Sequence, residues 1–512
     1  MEKVLFFIGG TGQHILLSYL HLLRIAGLEP NSKLYVFDGD ESNKAGSVTQ
    51  SIVSSFGRDT IKFINPNPSY IHKELKFEYM LSPSHEALDI ELLPAFYKQK
   101  ELNMETLNGF YATPTVGAAT IALAIKELIE NKHRLSETDI NKHFADLHRN
   151  ITANYPLRVG IAGSIFGGTA SGSVPILGKH FKDWRQGSTA SLLQTFCILH
   201  YKWFNLTEYK GSEPDPVKLL DEKKLKSNTH AGVRYYKDAL SSTFNRIMLL
   251  GLPNPVTREN DGGKDQQENK DFLYVLSGAL LHFYSNASDD AFPQKENERI
   301  LEAFAIDRSG MTFDELKIYT DGFGNYSIGD WEKPDVKDNL MFQYKISYNT
   351  IIYLDWLVNK LYTDGVEIRP YERKIFNRDF TGAYSGINDE QKKIFRDSLQ
   401  DHSRNLRASL QWLNEYVNSP SNLSYRLLNY EQPQNYVGIV PPEISDRNNV
   451  FKNDFEKEMP QRFSQRKKKN WEDIIDDLSK VLEGCSDKLQ ADHQDAAKQV
   501  YLGVRKYFHN KL

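Results

Sequence analysis

Two glycine-rich turns, each preceded by an unbroken apolar run and followed by a helix-forming segment, constrain this chain more than anything else in it. The first is Phe7-Ile8-Gly9-Gly10-Thr11-Gly12-Gln13, after the apolar residues 4–8. The second is Gly163-Ser164-Ile165-Phe166-Gly167-Gly168-Thr169-Ala170-Ser171-Gly172-Ser173, after residues 157–162. An unbroken apolar run of strand length is what a strand buried on both faces of a parallel sheet requires. A glycine turn between such a strand and a helix gathers backbone N–H groups and the positive end of the helix at one point, which can hold phosphate without many charged side chains. One such turn can be no more than a tight strand-to-helix connection. Two, with different spacings, point to a nucleotide gripped from both ends.

The first 285 residues alternate strand and helix. Strands are expected at residues 4–8, 34–37, 157–162, 195–199 and 247–250, and helices at 14–26, 115–131 and 173–184. Gly27 and Pro30 stop the first helix, and Asp38 and Asp40 close the second strand. This pattern implies an α/β fold built as a doubly wound layer, with ligand at the carboxyl ends of the strands. After Tyr284 the character changes. Residues 311–319 and 343–354 combine aromatics with strand-like alternation, which predicts a second, smaller α/β domain. A helix is expected over 388–417, with Asn388 as its cap and Asp389 and Glu390 in an acidic first turn. Residues 471–483 and 492–508 read as two terminal helices. The expected organisation is a nucleotide-binding domain (1–268), a central helix (269–285), a second α/β domain (286–385) and a helical C-terminal region (386–512).

Composition removes several classes. A net charge of −4 over 512 residues gives no global reason to expect nucleic-acid binding. The run Arg466-Lys467-Lys468-Lys469 reads as a solvated linker face. With only Cys197 and Cys485 there is no disulfide framework, and a reducing cytoplasm is expected. The longest apolar stretch, residues 272–284, falls short of the roughly 20 residues that a membrane span needs.

The second turn carries a family resemblance. Phe166-Gly167-Gly168-Thr169-Ala170-Ser171-Gly172-Ser173-Val174-Pro175 resembles the glycine-rich signature of the tubulin/FtsZ superfamily, with Phe166 in place of its first glycine and Ala170 in place of its fourth. Alanine at that place matters if the site needs positive φ. Pro175 is expected in the first turn of the following helix. Other segments resemble the family's in order. Residues Gly9, Gly10, Thr11, Gly12 and Gln13 are similar to its first nucleotide loop, and Asp38 stands where its second would be. Gly109-Phe110-Tyr111-Ala112-Thr113-Pro114-Thr115-Val116-Gly117 is similar to the loop that closes over the γ-phosphate. Asn228 resembles the residue opening a helix on the guanine side, and Asn254 lies in a segment like one that reaches the nucleotide. Asn269 opens an apolar helix similar to the long central helix of tubulins.

What the resemblance implies is a divergent prokaryotic tubulin-like protein. It would bind GTP or GDP with Mg²⁺, self-associate head to tail into a filament, and complete GTPase chemistry where an acidic loop of one subunit enters the next. That loop matches Asn286, Asp289 and Asp290 here, with a spacing that is not the family's. A carboxylate in such a place orients or deprotonates water. Two other functions fit the residues. One is a non-catalytic tubulin-like scaffold acting on a protein partner through its C-terminal helices. The other is a Rossmann-type NAD(P)-binding protein, with Asp38 as its ribose acid.

Overall fold

The computed structural model describes residues 1–38, 61–64, 76–81, 95–106, 110, 112–130, 156–184, 193–209, 222–240, 243–252, 255–258, 271–293, 298–305 and 389–417, with isolated positions at 347, 350, 351, 354, 501 and 504. The chain divides into two compact units. One comprises Met1–Leu20 and Pro30–Met311, the other His21–Glu29 and Thr312–Leu512.

The first unit is an α/β layer on a seven-stranded, wholly parallel sheet. Its strands are β1 (Glu2–Ile8), β2 (Lys33–Phe37), β3 (Ile61–Ile64), β4 (Leu157–Ser164), β5 (Leu193–His200), β7 (Arg246–Gly251) and β9 (Ile300–Ala305), in the spatial order β3-β2-β1-β4-β5-β7-β9. Two short segments, β6 (Phe204–Leu206) and β8 (Val256–Arg258), form a separate parallel pair. The sheet grows outward from β1 to β3, then returns so that β4 pairs with β1, Glu2 lying opposite Leu157 and Phe7 opposite Ala162. The order therefore reverses between β1 and β4, and a crevice opens at their carboxyl ends.

Side-chain alternation decides which helix covers which face. Val4, Phe6 and Ile8 of β1 and Val159 and Ile161 of β4 share a core with Ile121 and Ile125 of helix α4 (Pro114–Glu130), and with Val174, Leu177 and Phe181 of α5 (Thr169–Trp184). The opposite face carries α1 (Gly9–Ile25) and α7 (Phe272–Asn286), where Phe7 meets Tyr19 and Phe196 meets Tyr284. Between these lie the short helices α2 (Phe77–Leu81) and α3 (Gln99–Leu102), and α6 (Glu222–Tyr235), which continues as a π-helical turn over Tyr236–Leu240. No helix among the described residues is long and apolar enough to cross a membrane.

In the second unit, α8 (Asp389–Val417) starts where its acidic turn predicts. It buries Leu399, Ser403, Leu406, Leu410 and Leu413, alternating steps of four and three residues that keep one seam of the helix inward. His21 bonds Ser409 at 3.0 Å and stacks on Trp412, and the Ile25 carbonyl accepts from Ser347 and Tyr501, each at 2.7 Å.

Three sequence expectations change. Strand β9 joins the first sheet beside β7, so the first unit reaches Met311 and a boundary at 285 would cut through it. Residues 347, 350, 351 and 354 are helical rather than strand-like, and their spacing and burial are those of one helix face. Both glycine turns are shorter than they read, because α1 begins at Gly9 and α5 at Thr169. Pro175 consequently falls in the second turn of α5, where its missing N–H leaves the Ser171 carbonyl without an intrahelical donor. Residues 311–319, 471–483 and the polar stretch 259–269 lie outside the described residues.

Candidate functional site at the carboxyl edge of the sheet

The crevice at the β1/β4 reversal is built almost entirely from the two glycine segments. Gly9 ends β1 with φ +68°, a left-handed turn that L-residues adopt at a cost. Helix α1 starts there and presents Gly10, exposed, and Thr11, half-buried, in its first turn, while Gly12 and Gln13 turn inward. Gly12 packs against the backbone of Phe7 and the Ala162 carbonyl. The N–H groups of a helix's first turn have no intrahelical acceptor, so α1 and α5, leaving adjacent strands, aim two sets of donors and two positive dipole ends at the same edge.

Helix α4 adds a third. It packs on α5 through a close approach that only glycine permits, since a Cβ on Gly172 would lie 2.5 Å from the Pro114 carbonyl oxygen and the Ala118 nitrogen; just ahead of the two helices, one on Gly168 would lie 2.7 Å from that of Phe110. Thr113 precedes α4, and its N–H closes a turn onto Phe110 O at 2.7 Å. In that turn Ala112 sits at φ +53°, the only non-glycine residue with positive φ among those described. Ala170, by contrast, is in the first turn of α5 and is not strained, so its departure from the family's glycine costs the backbone nothing. Phe166 is buried and meets Phe204 edge-on. Gly167 and Ser171 remain partly open, with the Ser171 hydroxyl turned back onto the Gly167 carbonyl.

Asp38 ties the halves together. It is 2% exposed, accepts from Gln13 Nε2 at 2.8 Å, and lies 3.5 Å from Thr169 Oγ1. A buried carboxylate bridging α1 and α5 acts as a brace between the glycine segments, and it is engaged where a ribose acid would have to be open. Asn228 lies in the interior of α6 rather than at a helix start, and its amide donates to Ala112 O at 2.8 Å and Phe166 O at 3.0 Å. Asn254 and Asn269 lie outside the described residues, and the cap of α7 is Asp271, which accepts from the Leu273 N–H.

The acidic segment stands at the other edge of the sheet. Ser277, near the start of α7, bonds His200 at the carboxyl end of β5 at 2.6 Å. The last carbonyls of α7 meet Arg158 near the start of β4. Helix α7 thus runs antiparallel to the strands and delivers Asn286, Asp289 and Asp290 to their amino ends. Arg158, 5% exposed, donates to the carbonyls of Tyr284, Ser285 and Ala287 and pairs with Asp289 at 3.2 Å. Burial pulls its pKa down and Asp289 opposes that shift. Gln194 donates to the same Asp289 oxygen at 2.8 Å. Asn286 accepts from Lys3 at 2.7 Å and Asn31 at 2.8 Å. Asp289 and Asp290 are exposed. Sequence reasoning missed Arg158 and Gln194 because a lone charge at the start of an apolar strand reads as an edge residue. The signal lay in their shared position at the openings of β4 and β5.

No protein family, curated protein or solved structure matches this chain.

Proposed function

We propose that the protein binds GTP or GDP in the manner of the tubulin/FtsZ superfamily and self-associates head to tail, with hydrolysis completed at the subunit contact. The observation that carries this reading is the placement of the two glycine turns on adjacent strands at the sheet's reversal, with the acidic segment carried by α7 to the opposite edge. A ligand at one edge and carboxylates at the other meet only when a second copy stacks on the first, and such a contact does not close on itself.

The donors present suit a polyphosphate: first-turn N–H groups of three helices and the hydroxyl of Thr11. Among the described residues no group of three or more His, Cys, Asp or Glu is poised for a metal. A Mg²⁺ ion would be held mainly by phosphate and water oxygens and would neutralise phosphate charge. On the acidic side, Asn286 is occupied by Lys3 and Asn31, and one Asp289 oxygen by Arg158 and Gln194. Those engagements favour slow turnover and keep the scaffold reading as a second outcome. The dinucleotide reading is disfavoured by the buried, braced Asp38.

The test is chromatography of nucleotide released by denaturing the purified protein, then sedimentation with GTP and Mg²⁺. Guanine nucleotide with GTP-dependent pelleting is expected. Release of NAD(P) would replace this reading with the dinucleotide one, and an empty, non-pelleting protein would leave the scaffold.

A further inference from the structure

Helix α6 is a fixed rod beside the crevice. At its start Lys202, 8% exposed, pairs with Glu222 at 2.5 Å, and the other Glu222 oxygen accepts from the Leu206 N–H at 2.9 Å. Farther along, Gly232 lies so close to Ile165 that a Cβ there would be 3.0 Å from its carbonyl oxygen. From this rod one face, residues 224 and 228 at helical i,i+4 spacing, reaches the crevice. Lys224 donates to Thr113 Oγ1 at 2.7 Å, and the Asn228 amide donates to the carbonyls of both Ala112 and Phe166.

The direction of those two bonds matters. In a planar trans peptide the C=O and the following N–H point opposite ways. Drawing the Phe166 carbonyl toward α6 therefore turns the Gly167 N–H away from it. The second bond fixes the Ala112–Thr113 peptide at the residue whose backbone carries positive φ. Both Asn228 donor protons are spent on backbone carbonyls from two different loops, so neither serves a purine edge, where Oδ1 alone could act.

We propose that Asn228 is the positioning residue of the phosphate cradle: it locks the Ala112 and Phe166 peptide planes so that the Gly167 N–H and the α4 turn are preset for phosphate oxygens, and it does not read the base. The proposal rests on the nucleotide reading above. The test uses the full chain with Asn228→Asp, which presents acceptors to two carbonyl oxygens, and Asn228→Ser, which keeps one donor. Each is titrated with fluorescent GTP and GDP and competed with guanosine, and the melting midpoint is recorded in parallel. The expected result is a tenfold or greater loss of GTP and GDP affinity in Asn228→Asp, a smaller loss in Asn228→Ser, and unchanged guanosine affinity. A folded Asn228→Asp protein with wild-type GTP affinity overturns the proposal. Equal losses for guanosine and GTP overturn it too, by making Asn228 a base reader. If neither variant folds, the residue maintains the fold and the proposal fails. A wild-type protein that binds no guanine nucleotide sinks the underlying reading, a result distinct from all of these.

Discussion

At the scale of single residues, the glycines of the two turns fall into two kinds that the sequence shows as one. Gly172 is glycine because helix α4 leaves no room for a Cβ and Gly168 because Phe110, just before that helix, leaves none, whereas Gly10 is exposed at the mouth of the crevice. Gly168→Ala should therefore destabilise the protein by about 1–3 kcal/mol through overpacking. Gly10→Ala should stay within about 0.5 kcal/mol of wild type. Urea unfolding of the two variants checks the contrast, and equal effects would mean that the tight approach of Phe110 to Gly168 is not needed. The motif was legible because Gly-Gly-Thr-x-Ser-Gly is rare in composition and placed after a strand. Which glycine serves packing was not legible, since Phe110 and Pro114 approach from far along the chain. Asp38 shows the same limit: its position at a strand end was readable, but its brace to Gln13 and Thr169 exists only once β1, β2 and β4 are side by side.

Among the elements, α7 depends on close approach and on its C-terminal cap. A Cβ on Gly278 would lie 2.8 Å from the Tyr19 nitrogen, so α7 and α1 meet backbone to backbone there. Arg158 meets the carbonyls that the helix end leaves unsatisfied, with the guanidinium placed where the dipole is negative. Arg158→Met should cost on the order of 3 kcal/mol, because hydrogen bonds to a charged donor are lost and buried carbonyls stay unpaired. Differential scanning calorimetry of that variant, expected to show a clearly lower transition, is the check. Most strands and helices of the first unit were readable from apolar runs and caps, and α8 of the second unit was readable to within a residue at its start. Strand β9 was not. Its run Ile300-Leu301-Glu302-Ala303-Phe304-Ala305 is short and carries Glu302, whose pairing with Arg246 makes sense only beside β7.

For the whole molecule, acid is the informative perturbant. His200 is fully buried, and burial, with a lesser contribution from His14, pushes its pKa from 6.5 to about 3. Its folded value lies below its unfolded one, so the unfolded chain binds the extra proton between those values. The stability associated with the neutral ring is complete above pH 6.5 and is lost as pH falls toward 3, by about 1.4 kcal/mol per pH unit. His200→Gln should flatten that slope in urea titrations between pH 4 and 6.5, and an unchanged slope would assign the acid sensitivity elsewhere. The proposed function joins the two edges of the sheet. Asp290→Asn should leave nucleotide binding intact and lower any GTP turnover several-fold in a phosphate-release assay, and turnover at the wild-type rate would remove the acidic segment from the chemistry. The strand order has a kinetic side as well. β1 leaves the ribosome well before its neighbour β4, which opens only at Leu157. At translation rates of about 5–20 residues per second, one edge of β1 waits on the order of ten seconds or more for its partner. During that interval an apolar strand has an open hydrogen-bonding edge, the template for mispairing. Nascent chains should thus be most prone to aggregate before β4 emerges, and the crevice between the two strands cannot form until β4 and the start of α5 have been made.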